Sequence, residues 1–294
     1  MMPARQIAAQ ALRVAIAQLN AAGIIGAARD ARILLADAMD IGADRLTLYL
    51  PDTLSPAAQS RFANHIATRS THQPVAQIIG YRLFWGRRFT VTRDTLDPRP
   101  ETEILVAEAL SQPFQNMLDL GTGTGCILLS CLADMPMAVG LGSDVSAAAL
   151  AVAQTNAAAL GLDARARFML SDWWTAIDEQ FDLIVSNPPY ITATEMADLS
   201  PDVARWESHL ALSPGGDGLD AYRAIAAGAG ARLRARGRLV LEIGPTQGAA
   251  VMALLAAQGF DGLRVIGDMD GRDRVAVAVK PETAVKGLGH QSAR

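Results

Sequence analysis

The sequence predicts an α/β chain, a doubly wound, mostly parallel sheet with a small helical domain ahead of it. Three observations carry this. Strand-like and helix-like stretches alternate from residue 116 onward, the pattern of a sheet covered by helices on both faces. A glycine-rich turn, Gly121 to Gly125, joins the first of those strands to its helix. Residues 1–75 read instead as helices.

In that helical region, RQIAAQALRVAIAQLNAAG places Ile7, Leu12, Ile16 and Leu19 near one face and ends in Gly23. AARDARILLADAMD and SPAAQSRFANHIATRS repeat the amphipathic character. From 76 to 97 the period changes. YRLFWGRRFTVTRDTLDP alternates and is β-branched, with Gly86 at a turn, so a β-hairpin linker is expected. The next domain is expected over 98–280. A helix begins near Glu101, and strand NMLDLG, helix GCILLSCLAD, strand AVGLGSD and helix SAAALAVAQTNAAALG follow. ARFMLSD and FDLIVSN are the third and fourth strands, and AYRAIAAGAGARLRA is a helix. GRLVLEIG is the fifth strand, AAVMALLAAQG a helix, and LRVIGDMDGRDRVAVAVK two strands around a polar turn. That closing hairpin places one antiparallel strand in the sheet. Residues 281–294 read as a disordered tail.

Composition narrows the function. With 30 acidic and 26 basic residues the net charge is −4, which does not suggest a dedicated nucleic-acid binder. Cys126 and Cys131 sit five apart on one expected helix, with neither zinc spacing nor a disulfide framework, which fits a reducing cytosol. His65, His72, His209 and His290 form no ligand-like cluster, so no metal is expected. Gln10 and Arg13 interrupt the apolar core a signal peptide would need, and no window is apolar enough to span a membrane.

LDLGTGTGC removes side chains at Gly121, Gly123 and Gly125, where backbone must turn tightly and approach a ligand. The following helix points its free N–H groups at that ligand. Asp144, at the end of the next strand, can accept both hydroxyls of a ribose. The turn is therefore a nucleoside site. Its spacing is G-x-G-x-G, preceded by Asp119, rather than the G-x-G-x-x-G of dinucleotide folds. In this it resembles the first motif of class I S-adenosylmethionine-dependent methyltransferases. The resemblance implies a Rossmann-like, seven-stranded sheet. It also implies that Gly121, Thr122, Gly123, Thr124, Gly125 and Asp144 hold S-adenosyl-L-methionine, with Asp172 and Trp173 of SDWW beside its adenine.

SNPPY, residues 186–190, follows an apolar strand. Pro188 and Pro189 donate no ladder hydrogen bonds, so the strand stops there and Asn187 is held extended on stiff backbone. At the carboxyl edge of the sheet this loop faces the cofactor. Asn-Pro-Pro-Tyr there resembles enzymes that methylate planar amide or amino nitrogens. Such a nitrogen shares its lone pair with a π-system and is a poor nucleophile. The Asn187 side-chain carbonyl and the Pro188 backbone carbonyl can accept from its NH₂, and Tyr190 can stack on the planar group. Positioning of this kind is worth roughly a hundredfold or more per group.

Five segments together resemble the peptide chain release factor glutamine methyltransferases across nearly the whole chain. They are PRPETE (98–103), LDLGTGTG (118–125), SDWW (171–174), VSNPPYI (185–191) and GGDGLDAYR (215–223). The resemblance implies methyl transfer to the side-chain amide nitrogen of glutamine in a Gly-Gly-Gln loop of a release factor, modulating translation termination. It implies an N-terminal domain that recognises the release factor, Asn187 as a cofactor contact, and Asn187, Pro188, Pro189 and Tyr190 as the substrate clamp. A monomeric, cytoplasmic enzyme without direct nucleic-acid or membrane binding is expected. Asp97 and Ser208 depart from the family pattern at the edge of the substrate groove. PRPETE also suits a helix start, with proline in the first turn and acids that favour the dipole, while Arg99 is read as a brace for the active-site lip. The alternatives are an adenine N6-methyltransferase acting on DNA or RNA, an NAD-dependent dehydrogenase, and a non-catalytic scaffold. The first would need a basic channel, the second a hydride-transfer acid/base pair, and the third would not need an intact Asn-Pro-Pro-Tyr.

Overall fold

A computed structural model describes residues 6–282, so the tail expected over 281–294 lies almost wholly outside the described residues. Helices α1 (Ala8–Ala21), α2 (Ala27–Ala38), α3 (Leu46–Tyr49), α4 (Pro56–Arg69) and α5 (Val75–Ile79) come first. Strands β1 (Tyr81–Phe84) and β2 (Arg87–Thr90) form a two-stranded sheet. Then follow α6 (Glu103–Ala109), β3 (Asn116–Leu120), α7 (Cys126–Asp134), β4 (Val139–Asp144), α8 (Ala147–Ala159), β5 (Ala166–Leu170) and β6 (Phe181–Ser186). Short helices α9 (Pro201–Trp206) and α10 (His209–Leu212) precede α11 (Asp220–Arg232), β7 (Leu233–Glu242), α12 (Gly248–Ala257), β8 (Asp261–Gly267) and β9 (Asp273–Val279). The chain divides into two units.

The first unit comprises, among the described residues, 6–83, 88–97 and 194–209. Its core is Leu12 and Leu19 of α1, Leu34 and Leu35 of α2, Leu46 of α3, and Phe62 and Ile66 of α4. Ile7, expected on the α1 face, instead precedes the first turn. It forms a bridge with Thr53 and stays 38% exposed. Ser55 caps α4, its hydroxyl accepting from the Ala58 N–H at 3.2 Å, with Pro56 in the first turn.

Residues 194–209 belong to this unit, although the sequence reading ran one domain unbroken from 98 to 280. A buried cation accounts for the difference. Arg69 donates to Asp30 of α2 at 2.8 Å and to Asp202 of α9 at 2.6 Å. His72 also meets Asp202, at 2.8 Å, and the Trp206 indole donates to the Thr71 carbonyl at 3.2 Å. Burial works against the Arg69 charge, but the two carboxylates outweigh it and hold its pKa above the ordinary value. No local pattern in the sequence announces a pairing 133 residues apart.

The second unit comprises, among the described residues, 84–87, 98–193 and 210–282. Its sheet runs β5-β4-β3-β6-β7-β9-β8. Pairing is parallel except at β9, which lies antiparallel to both β7 and β8. Near-continuous apolar runs such as Leu183, Ile184 and Val185 are fully buried, as a sheet covered on both faces requires. Chain order reverses between β3 and β6, which creates a switch point at the carboxyl edge. Trp85 and Gly86 both take positive φ, the geometry of a tight hairpin turn. The Trp85 N–H donates to Glu103 and its indole to Asp134, each at 2.7 Å, which offsets the strain of a non-glycine residue there.

Arg69→Ala leaves Asp30 and Asp202 half-buried without their cation. Stability should fall by roughly 2–4 kcal/mol, discounted from a fully buried pair because both carboxylates reach water. Urea denaturation checks this, and an unchanged midpoint would exclude the ion-pair hub.

Candidate active site

The register of the sheet decides which residues meet. Leu120 of β3 lies opposite Ser143 of β4 and Ser186 of β6, and Asp144 opposite Leu170 of β5. The turn at Gly121–Gly125, Asp144, the Ser171–Trp174 segment and Asn187–Tyr190 therefore all leave one edge of adjacent parallel strands. The sequence-predicted residues are brought together by this alignment.

In the glycine turn, Gly121, Gly123 and Gly125 have φ of 69°, 54° and 77°, a region other residues enter only at a cost. A side chain at Gly125 would also press within 3.3 Å of Leu129 and Ala153. Two hydrogen bonds hold the turn, one of them from a residue the sequence reading did not single out. Buried Asn156 of α8 donates to the Thr124 carbonyl at 2.9 Å, and its signal was an amide inside an alanine-rich apolar helix. Thr122 donates to Asp119 at 2.7 Å. Asp119 is fully buried, and desolvation, only partly offset by Thr122, pushes its pKa up to about 7.

Asp144 accepts from the Gly123 N–H and the Ser146 N–H, each at 2.9 Å. Those bonds use two of about four lone-pair positions and fix the carboxylate, leaving two for hydroxyl donors. The pair Trp173–Trp174 divides its labour. Trp173 has φ of 46° and is partly exposed at the strand edge. Trp174 is a packing residue: its indole donates to the Ala224 carbonyl at 2.8 Å and its ring lies where any side chain at Gly228 would stand.

Asn187 and Tyr190 are half-buried, and Pro188 is buried. The Asn187 Nδ2 donates to the Thr102 hydroxyl at 3.4 Å, and the Tyr190 hydroxyl to Glu242 at 3.4 Å. Burial, with Glu242 adding to it, raises the Tyr190 pKa, so this phenol stays neutral. The GGDGLDAYR segment supports the loop from behind. Gln247 donates to the Tyr190 carbonyl at 2.9 Å and to the Gly218 carbonyl at 3.4 Å. A side chain at Gly218 would stand 2.6 Å from the Tyr190 carbonyl. Tyr222 donates to the Glu242 carbonyl at 3.0 Å. Glu242 and Gln247 were not singled out from sequence, although an acid ending the apolar run LVLE was a usable signal.

These residues suit S-adenosyl-L-methionine. The glycine turn leaves open space at Gly121 and Gly123, and Asp144 has acceptor capacity for a ribose.

Comparison with known proteins agrees. The methyltransferase small domain family matches residues 92–219, and the PrmC N-terminal domain matches residues 10–80. A release factor glutamine methyltransferase of Cereibacter sphaeroides is 62% identical over 274 residues, 93% of this chain and 99% of that protein. One from Rhodospirillum rubrum is 42% identical, over 89% of this chain and 81% of that protein. Among solved structures, a methyltransferase from Pyrococcus furiosus superposes with a TM-score of 0.51 at 16% identity, over 76% of this chain and 99% of that one. This last likeness concerns the fold alone.

The raised pKa of Asp119 carries a pH dependence. Its folded value, about 7, lies above the 3.8 of the free group, so its contribution is full below about pH 4 and is lost as pH rises through 7. Stability of the cofactor-free protein should decline across that window by up to roughly 4 kcal/mol. Asp119→Asn should flatten the slope, as measured by denaturation at a series of pH values.

Proposed function

The chain belongs to the release factor glutamine methyltransferase family, and from that premise we propose how its residues carry out the reaction. The enzyme transfers a methyl group from S-adenosyl-L-methionine to the side-chain amide nitrogen of a release factor glutamine, in our reading that of the Gly-Gly-Gln motif. One observation carries the assignment to this site: Asn187-Pro188-Pro189-Tyr190 leaves β6 beside the glycine turn that leaves β3, at the switch point of the sheet.

When bound, S-adenosyl-L-methionine supplies an electrophilic methyl on a sulfonium sulfur. Gly121, Thr122, Gly123, Thr124 and Gly125 would line its approach, Asp144 would accept from the ribose hydroxyls, and Trp173 would flank the adenine. The Asn187 Oδ1 and the Pro188 carbonyl accept from the two N–H groups of the target amide. They aim its nitrogen at the methyl and favour pyramidal character there. Pro189 keeps the loop stiff, and Tyr190, neutral and held by Gln247 and Glu242, stacks on the amide plane. No strong base is required, because the N-methylated amide is acidic until it releases its proton.

The helical unit is assigned to release factor recognition. Its support is the match of residues 10–80 to the PrmC N-terminal domain. We read the protein as cytoplasmic, because its substrates are translation factors, and as a monomer. Its net charge of −4 argues against direct nucleic-acid binding, and no described helix is long and apolar enough to cross a membrane. The adenine N6-methyltransferase reading is not favoured, since the relatives named above are glutamine methyltransferases.

Incubation with labelled S-adenosyl-L-methionine and purified release factors, followed by peptide mapping, tests the assignment. Label confined to the glutamine of the Gly-Gly-Gln peptide is expected, and label elsewhere would overturn the substrate reading. Asp144→Ala should abolish cofactor binding in calorimetry, since each charge-assisted ribose bond is worth roughly 1.5–3 kcal/mol. Asn187→Ala should slow methyl transfer by roughly a hundredfold or more with only a modest loss of cofactor affinity. Asn187→Asp adds charge that attracts the cofactor before reaction more than during it. It should therefore lower kcat without weakening cofactor binding.

A further inference from the structure

An asparagine amide is nearly symmetric in shape, so packing alone does not decide which end faces the substrate. The clamp works in one orientation only. With Oδ1 outward, Asn187 accepts from the target NH₂. With Nδ2 outward, donor meets donor. Something must set the direction, and the structure offers a polar chain that runs inward from the amide.

Asn187 meets the Thr102 hydroxyl at 3.4 Å. Thr102 belongs to the PRPETE segment and is buried at 2% exposure. Its hydroxyl lies within the electrostatic reach of Glu242, which ends β7 and is 1% exposed. The parallel register pairs Ser186 with Leu241, so the next residues along the two strands are Asn187 and Glu242. The Glu242 Oε1 takes the Tyr190 hydroxyl at 3.4 Å, and its buried Oε2 is an acceptor with no hydrogen-bond donor among the described residues, so the Thr102 proton has somewhere to go.

We propose that Glu242 and Thr102 are positioning residues that hold the Asn187 amide with Oδ1 toward the substrate. The inference rests on the methyl-transfer reading of the Asn187 loop. The logic is donor counting. An ionised carboxylate only accepts. The single Thr102 proton goes to it, the strongest acceptor in reach. Toward Asn187 the Thr102 oxygen can then only accept, and that requires Nδ2 to point inward. The same carboxylate takes the Tyr190 proton, so one buried acid sets the polarity of both ends of the clamp. PRPETE and Asn-Pro-Pro-Tyr, 84 positions apart from Glu103 to Asn187, are thereby parts of one device. Arg238 secures the first of them. It donates to the Ala109 and Gln112 carbonyls at 2.8 and 3.0 Å, fixing the end of α6, the helix that Thr102 precedes.

The device is sensitive to acid. A protonated Glu242 can donate to Thr102 and reverse the chain. The titratable groups facing it are Tyr190 on the loop after β6, Arg274 on β9 and Glu101 in the turn before α6. Burial raises the Glu242 pKa above the ordinary carboxylate value and Glu101 adds to this, while Thr102, Arg274 and Tyr190 favour the ionised form.

The test compares wild type, Thr102→Val, Thr102→Ser and Glu242→Gln. Thr102→Val keeps the volume and removes the relay. Its kcat should fall about tenfold or more with little change in cofactor affinity or melting temperature, and Thr102→Ser should restore it. Wild-type kcat should decline on the acid side, whereas Glu242→Gln should be slow at every pH and lack that acid limb. Independently of turnover, the Asn187 side-chain NH₂ resonances should report one orientation in the wild type and two in Thr102→Val. Wild-type kcat in Thr102→Val, an acid limb retained in Glu242→Gln, or a single unchanged amide orientation in Thr102→Val would each overturn the relay. If the wild type itself transfers no methyl to a release factor, the substrate reading fails, and the resonance comparison still decides the relay.

Discussion

The site depends on the parallel register of β3 with its neighbours. Leu120, Ser143 and Ser186 are held level across three strands, so the chain leaves the sheet at the same height on each. A ribose acceptor, a backbone cradle and a planar-nitrogen clamp then share one edge without any of them being built into a long loop. In a strand, side chains alternate between faces, so a slip of one residue would exchange the buried and site-facing sets. Fully buried residues on β3 and β6, among them Met117, Leu118, Leu183 and Ile184, exclude such a slip, because it would require repacking both faces at once.

Buried polar groups supply the precision that apolar packing lacks. Asn156, Asp119, Gln247 and Glu242 all lie behind the site rather than in it, and each acts on a loop that faces outward. Asn156 and Gln247 hold backbone carbonyls of the glycine turn and the Asn187 loop. Asp119 and Glu242 are carboxyl groups whose burial raises their pKa, a cost in stability accepted where geometry is needed. Close backbone approach at Gly218 and Gly228 serves the same end, since side chains there would displace the Tyr190 carbonyl and Trp174.

The helical unit is organised by a different device. Its apolar core would suffice for a small bundle, yet it also takes in residues 194–209, which begin four positions after Tyr190. Arg69 holds this segment by charge, with His72 and the Trp206 indole alongside. Residues 194–209 are thus part of the unit assigned to recognition.

Much of this protein was legible in the sequence because its signals are local. Alternating strand and helix periodicity determined the sheet and its single antiparallel strand. The glycine spacing, Asp144 at the next strand end and the double proline after Asn187 each report a backbone geometry that only those residues adopt or terminate. Trp173 was singled out beside the adenine from sequence, whereas the packing of Trp174 against Gly228 and the Ala224 carbonyl needed the fold. Glu242, Thr102, Asn156 and the return of residues 194–209 to Arg69 were decided by the tertiary structure alone. Their meaning lies in partners 32 to 140 positions away, as in Asn156 with Thr124 and Thr102 with Glu242. A buried acid or amide looks locally like a flaw in an apolar pattern until the fold supplies the group it holds.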